Sequence, residues 1–204
     1  VVSPLCANFR APNPGQRQDG QMQRIALTDY PDAVCNDGTP ASMYVRRATN
    51  PDHAGRWIVY LKGGSQCLYW GDCKERWCDE TSLMTSLGHG PSQHRDGMLN
   101  PNLQGNAFAG WNHVYVPYCT SDLHSGTGDS SLMVDPDGEG PSYTAHFRGH
   151  HVLNAVMDVL EAGAVSDDGT ETLPPIAEAD LVLFSGSSAG AGGVVIDDID
   201  GSPL

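Results

Sequence analysis

The chain has 204 residues, 39% of them hydrophobic, enough for one core-bearing domain and too apolar for a disordered chain. Its 11 basic and 25 acidic side chains leave a formal charge of −14, which repels nucleic acid and anionic membrane surfaces and excludes a polyanion-binding module. No apolar run reaches the roughly 18 residues of a spanning helix, so neither nucleic acid nor a membrane span is expected.

Val1-Val2-Ser3-Pro4 lacks the basic flank and apolar stretch of a signal peptide and reads as a mature N-terminus. Residues 1–22, rich in Pro, Gly, Asn and Gln, read as an irregular arm before the alternating stretch Gln23 to Leu27. Cys35-Asn36-Asp37-Gly38-Thr39-Pro40 is dense in turn formers and precedes Ser42-Met43-Tyr44-Val45-Arg46, whose alternation predicts a half-exposed strand and a hairpin. Trp57-Ile58-Val59-Tyr60-Leu61 is a continuous apolar run that stops at Gly63-Gly64, the pattern of a buried strand opening into a tight loop. His113-Val114-Tyr115-Val116-Pro117-Tyr118 is a second such run, and its pairing is expected to end at Pro117, which has no N–H for a ladder.

Between Arg148 and Ala162, the apolar positions Val152, Leu153, Val156, Val159 and Leu160 follow a one-faced helical period, with Gly163 placed to cap it. Ser166 to Glu178 is acidic, carries Pro174-Pro175 and reads as a surface loop before Leu181-Val182-Leu183-Phe184, a third buried strand. Strand, helix and strand in that order predict an α/β fold with a mostly parallel central sheet flanked by helices, in a single domain over 1–204.

The run at 181–184 leads into Gly186-Ser187-Ser188-Ala189-Gly190 and then Ala191 to Ile196, which can form a helix. A serine in such a strand-to-helix turn is lifted above the sheet, as in the nucleophile elbow of α/β-hydrolases. Ser187 is a competing hydroxyl, but only Ser188 has glycine two residues away on both sides, so Ser188 is the expected nucleophile. The amide of Ala189 at the helix start, and those of Gly64 and Ser65 just after the 57–61 strand, are the expected oxyanion-hole donors. A glycine-rich turn without chemistry competes with this reading of the motif alone. The strand before it, the helix after it and the separate glycine loop at 63–64 favour the enzymatic one.

Six cysteines, at 6, 35, 67, 73, 78 and 119, lack the paired Cys-x-x-Cys spacing of a zinc ribbon. Disulfides in an oxidising compartment, extracellular or periplasmic, are expected instead, with the pairing open. The chain contains no Asn-x-Ser/Thr sequon. Asp135-Pro136-Asp137-Gly138-Glu139 and Asp167-Asp168-Gly169 resemble oxygen-ligand loops but lack calcium-loop spacing, so solvated turns are expected, with no metal and no cofactor. Trp70 and Trp77 read either as a substrate lip or as packing within a cross-linked loop.

Taken together, Cys35-Asn36-Asp37-Gly38, Leu61-Lys62-Gly63-Gly64 with Cys67, Asn100-Pro101, Trp111-Asn112, Val116-Pro117-Tyr118-Cys119, Phe147-Arg148-Gly149 and Gly186 to Gly190 occur in an order that resembles the pectin acetylesterase and Notum carboxylesterases. The likeness spans about residues 35–200, and Tyr118 to Asp122 with Ser125-Gly126 is more similar to Notum and its bacterial relatives than to the plant enzymes. The resemblance implies an α/β-hydrolase fold, Ser188 as nucleophile and Gly64, Ser65 and Ala189 around the oxyanion. It also implies disulfides Cys35–Cys119 and Cys67–Cys73, leaving Cys6 and Cys78 as partners. Where relatives carry tryptophan after the paired glycines this chain has Ser65-Gln66, which argues against an aromatic acyl pocket.

In α/β-hydrolases the triad acid and histidine follow the serine, yet residues 189–204 hold Asp197, Asp198 and Asp200 and no histidine. Of the earlier histidines, His113 reads as structural, His146, His150 and His151 as solvated or capping, and His124 as a candidate border of the site. The triad histidine and aspartate are therefore expected in a C-terminal segment or second chain of the same precursor, residues 1–204 being the N-terminal part of the fold. The acidic tail with Gly201 and Pro203 reads as an exposed, protease-accessible loop. The expected activity is a secreted or periplasmic serine carboxylesterase that removes an acyl group, foremost acetyl, from an esterified saccharide or polymer. A lipid or polyester esterase and an inactive glycan-binding homologue are the alternatives.

Overall fold

The structure is a computed structural model that describes Cys6, Asn13, Gly15, Gln16 and residues 21–199, the side chains of 197–199 excepted. Most of the arm expected over 1–22, and the tail from 200, lie outside the described residues. In chain order the elements are β1 (Met22–Ala26), β2 (Ser42–Arg46), β3 (Arg56–Leu61), α1 (Trp70–Asp79), β4 (Ser92–Gln93), β5 (Asn112–Val116), β6 (Ser130–Met133), β7 (Tyr143–His146), α2 (Gly149–Ala162), β8 (Leu181–Gly186) and α3 (Ala189–Ile199).

Six strands form one sheet in the order β4-β1-β2-β5-β3-β8, while β6 and β7 pair separately. β3 runs parallel to both β5 and β8, whereas β4, β1, β2 and β5 pair antiparallel along the other half. The α/β class holds, but the sheet is mixed rather than mostly parallel, because β1 returns directly to β2 without a crossover helix. The turn-rich 35–40 stretch lies inside that β1–β2 connection, where Val34 bridges to Pro40.

Two expectations about burial are corrected. β2 is buried at all five positions rather than half-exposed, because it sits mid-sheet and its polar side chains find partners: Ser42 Oγ meets His89 Nδ1 at 2.8 Å, and Arg46 Nη2 donates to His113 Nδ1 at 2.8 Å. β8 is half-buried and Leu181 is exposed, rather than forming a buried strand, because among the described residues only β3 pairs with it.

The helix expected over 148–162 is α2, closed by Gly163 at φ +89°. Val152, Leu153, Val156 and Leu160 bury its apolar stripe against Trp57, Val59, Leu61, Val114 and Val116 on one face of the sheet. The opposite face carries Met22, Tyr44, Ile58, Leu99 and Tyr115, as the strand period of two requires. In the 166–178 loop Leu173 is buried and Asp167 accepts from the Arg24 guanidinium at 2.7 Å and the Ala26 amide at 2.9 Å, so this stretch is less of a free surface loop than its composition indicates. Disulfides join Cys35 to Cys119, Cys67 to Cys73 and Cys6 to Cys78. All six cysteines are thus paired, which fits an oxidising compartment.

Candidate active site

β3, β5 and β8 end level with one another, since Leu61 pairs with both Val116 and Gly186. The loops after them therefore leave the sheet together at its carboxyl edge, where open α/β sheets place their sites. After β8 the chain turns sharply: the Gly190 amide donates to the Ser187 carbonyl at 2.8 Å, the Gly192 amide to the Ser188 carbonyl at 3.1 Å, and α3 begins. Ser188, at the apex, is exposed with φ +51°.

Two glycines permit this corner. A Cβ on Gly190 would collide with the Leu61 carbonyl, and one on Gly63 would collide with the Ser187 carbonyl and stand 2.9 Å from Ser188 Cβ. The loop after β3 and the corner after β8 are thus in direct contact. The Gly63 amide donates to Ser187 Oγ at 3.2 Å, which engages that hydroxyl. Ser188 Oγ has no partner among the described residues. The same is true of the amides of Gly64, Ser65 and Ala189, which donate to no protein acceptor. A free hydroxyl thus shares one corner with three free N–H groups, the last of them at a helix N-terminus, where the peptide dipoles favour negative charge.

The rim of this corner is strained. Ser65, Ser121, Leu123, His124 and Ser188 have φ between +51° and +62°, and among the described residues they are the only non-glycines with positive φ. Each such residue costs about 1–3 kcal/mol and persists only where its surroundings fix it. For 121–124 those surroundings centre on Asp122. Its carboxylate accepts from Thr120 Oγ1 at 2.6 Å, from the His124 amide at 3.1 Å and from the Gly149 amide at the start of α2 at 2.7 Å. Burial pushes the Asp122 carboxyl up and these hydrogen bonds pull it back. Arg76 Nε, on α1, donates to Ser121 Oγ at 2.8 Å, and the Leu123 amide donates to Tyr118 Oη at 2.8 Å.

His124 is buried, with its ring 4.6 Å from that of Tyr118. Its Nε2 lies 2.9 Å from the Lys62 carbonyl, which can only accept, so Nε2 carries the proton. Burial lowers its pKa to about 4, more than the bond to Lys62 raises it, and the ring is neutral at pH 7. His124 therefore holds, through the Lys62 carbonyl, the loop that leads into Gly63 and Gly64.

The other sequence candidates fall elsewhere. His113 bonds Arg46 and the Phe108 carbonyl, inside the sheet, and His151 Nε2 lies 3.3 Å from the Thr127 carbonyl. Trp77 is buried packing, and Trp70 donates to the Pro141 carbonyl at 3.1 Å. Tyr69 and Leu68, just before α1, are exposed. The carboxylates of Asp135 and Asp168 cap backbone amides of their own loops. Sequence reading missed Asp122 and Arg76; the local signal was the short polar run Thr120-Ser121-Asp122 following a strand.

Comparison with known proteins bears on the family and the fold. The profile of the family described as Pectinacetylesterase matches residues 15–200. The palmitoleoyl-protein carboxylesterase notum1' of Xenopus laevis is 32% identical over 188 residues, covering 91% of this chain and 33% of that protein. An inactive palmitoleoyl-protein carboxylesterase, notum1b of Danio rerio, is 35% identical over 119 residues, covering 57% of this chain and 81% of that protein. The crystal structure of the Wnt deacylase Notum from Drosophila superposes with a TM-score of 0.69 at 28% identity, covering 88% of this chain and 47% of that one. The chain spans about a third of the length of the first of these relatives. A profile match over nearly the whole chain, joined to an exposed serine on a glycine-built corner, places the chain in the pectinacetylesterase family, with the α/β-hydrolase-like fold of Notum.

Proposed function

We propose that the protein is a secreted serine carboxylesterase that removes an acyl group, foremost acetyl, from an esterified saccharide or polymer through an acyl-enzyme. Ser188 Oγ attacks the ester carbonyl, and the amides of Gly64, Ser65 and Ala189 receive the charge that develops on its oxygen. The observation that carries this reading is the unpartnered Ser188 hydroxyl, at φ +51°, sharing a corner with three unpartnered amides. A histidine that takes the serine proton and an aspartate that orients it come, in this proposal, from chain beyond residue 204. The length of the relatives supports that source.

Ser65-Gln66, exposed and polar directly after the paired glycines, supports a small acyl group over a long one. Two relatives favour other readings, a palmitoleoyl-protein carboxylesterase and an inactive homologue of one. A fluorophosphonate probe on the full-length protein, followed by peptide mapping, tests the nucleophile. Label on Ser188, abolished in Ser188→Ala together with a loss of hydrolysis on the order of 10⁴-fold or more, is expected. An unlabelled Ser188 supports the inactive reading. Aryl esters of increasing chain length give acetate the highest kcat/KM; a preference for long chains alone overturns the acetylesterase assignment.

A further inference from the structure

Two of the three free amides at the corner, those of Gly64 and Ser65, belong to the loop between β3 and α1, and that loop is held at both ends. At its start the Lys62 amide donates to the Val116 carbonyl at 3.0 Å, and the Lys62 carbonyl accepts from His124 Nε2 at 2.9 Å. At its far end the Cys67 amide donates to the Ser121 carbonyl at 3.1 Å, and the Cys67–Cys73 disulfide ties the same residue to α1. Between these anchors Ser65 stands at φ +60°, and Gly64 lies so close to Tyr118 and Leu83 that a Cβ there would be 3.0 Å from both side chains. The aim of the two amides therefore depends on where Ser121 holds its carbonyl.

Ser121 is itself at φ +55° and fully buried, a conformation that its surroundings must impose. Arg76 supplies that grip. It lies about one turn after Cys73 on the same face of α1, and its Nε donates to Ser121 Oγ at 2.8 Å, while Ser121 Oγ donates to Met84 Sδ at 3.0 Å. The guanidinium also sits 5.6 Å from the centroid of the Tyr118 ring, against which Gly64 rests. This cation is poorly compensated: the residue is 6% exposed, Nη2 has no acceptor among the described residues, and its carboxylate partner, Glu80, is exposed and 3.5 Å away. An apolar side chain of similar volume often serves a buried position as well as a charge does. Stability alone therefore does not account for a guanidinium here, whereas its bond to Ser121 gives it a task at the corner.

We propose that Arg76 is the positioning residue of the oxyanion loop: through Ser121 it fixes the carbonyl that takes the Cys67 amide, and thereby the direction of the Gly64 and Ser65 N–H groups. This rests on the esterase reading of Ser188, and the experiment, on the full-length protein, separates the two. In Arg76→Met and in Ser121→Ala, kcat and kcat/KM for an aryl acetate fall together by about 10- to 100-fold, as for an interaction made only in the transition state. The double variant loses no more than the worse single one, since both remove the same contact. Hydrogen exchange of the segment that contains the Cys67 amide, read by mass spectrometry, becomes about tenfold faster in both variants. Ser121→Ala deletes only a hydroxyl and carries the test if Arg76→Met does not fold. Unchanged exchange, an unchanged kcat, a rise in KM alone, or losses that multiply in the double variant overturn the positioning role. A protein that hydrolyses no ester before any substitution refutes the esterase reading; faster exchange in the variants then still upholds the brace, and unchanged exchange overturns it.

Discussion

β5 and β8 flank the same strand, β3, in the same parallel direction, yet they make opposite kinds of surface. β5 is buried at every position, with β2 on its outer edge, α2 against one face and the Tyr44–Leu99 cluster against the other. β8 has β3 on one edge and, among the described residues, no strand on the other. The reactive corner grows from the less supported strand. Its shape is imposed from the β3 and β5 side, through the Gly190–Leu61 and Gly63–Ser187 contacts and through the loop that Asp122 braces. A strained serine can stand at the edge because the packed interior beside it fixes the corner.

The largest test of this contrast acts on the interior by acid. β5 carries His113, whose Nε2 donates to the Phe108 carbonyl while Nδ1 accepts from Arg46, an arrangement that only the neutral ring can satisfy. Burial lowers His113, His89 and His124 to about 4. Once unfolded, each ring takes a proton near 6.5. Between about pH 6.5 and 4 the unfolded chain therefore binds more protons, and stability falls as pH falls. The loss approaches roughly 3 kcal/mol for each ring at the low end. Asp122, whose carboxyl is raised by burial, opposes part of it at the acid end. β8 holds no ionisable side chain. Unfolding free energies from urea titrations at pH 7 and pH 4.5 should differ by several kcal/mol, and a flat profile would mean that these rings are not buried neutral.

A smaller test sets the two strand surfaces side by side. Ile58 of β3 and Leu183 of β8 are register partners on the same face, the first buried and the second half-buried. Ile58→Ala should cost about 2–5 kcal/mol in urea unfolding of the 204-residue chain. Leu183→Ala should cost less than half as much, because its environment is already partly solvent. Equal losses would break the contrast and mean that Leu183 is packed as tightly as Ile58.

The difference between the strands also marks what a linear reading can reach. The runs at 57–61 and 113–118 and the helical period at 148–162 were legible because each carries its burial signal within a few neighbouring residues. The burial of β2 was not, since Ser42 and Arg46 look solvent-facing until His89 and His113 arrive from 47 and 67 residues away. For β8 the error ran the other way: an apolar run states a strand's preference, not whether a neighbour is present to satisfy it. Trp70–Asp79, charged and with Gly71 near its start, hides α1. The helix is fixed by the Cys67–Cys73 disulfide and by Asp72 accepting the Leu68 and Tyr69 amides. Ser188 stood out by its glycine spacing, but the bracing by Asp122 and the hold of His124 on the Lys62 carbonyl arise only when distant loops meet.

The smallest test addresses the strain itself. At φ +51° a Cβ-bearing residue is disfavoured and glycine is not, although glycine loses more chain entropy on folding. Alanine at 188 removes the hydroxyl and keeps the strain; glycine removes both. Ser188→Gly should therefore be more stable than Ser188→Ala by about 1 kcal/mol, read from urea midpoints. At Ser42, in the extended backbone of β2, the order should reverse, with Ser42→Gly less stable than Ser42→Ala by a similar amount. Both pairs compare glycine with alanine, so the hydroxyl drops out; at exposed Ser188 backbone conformation remains, and at buried Ser42 the alanine methyl adds to it. If glycine is the worse residue at 188 as well, the corner is not under strain, and the serine is presented by loop packing alone.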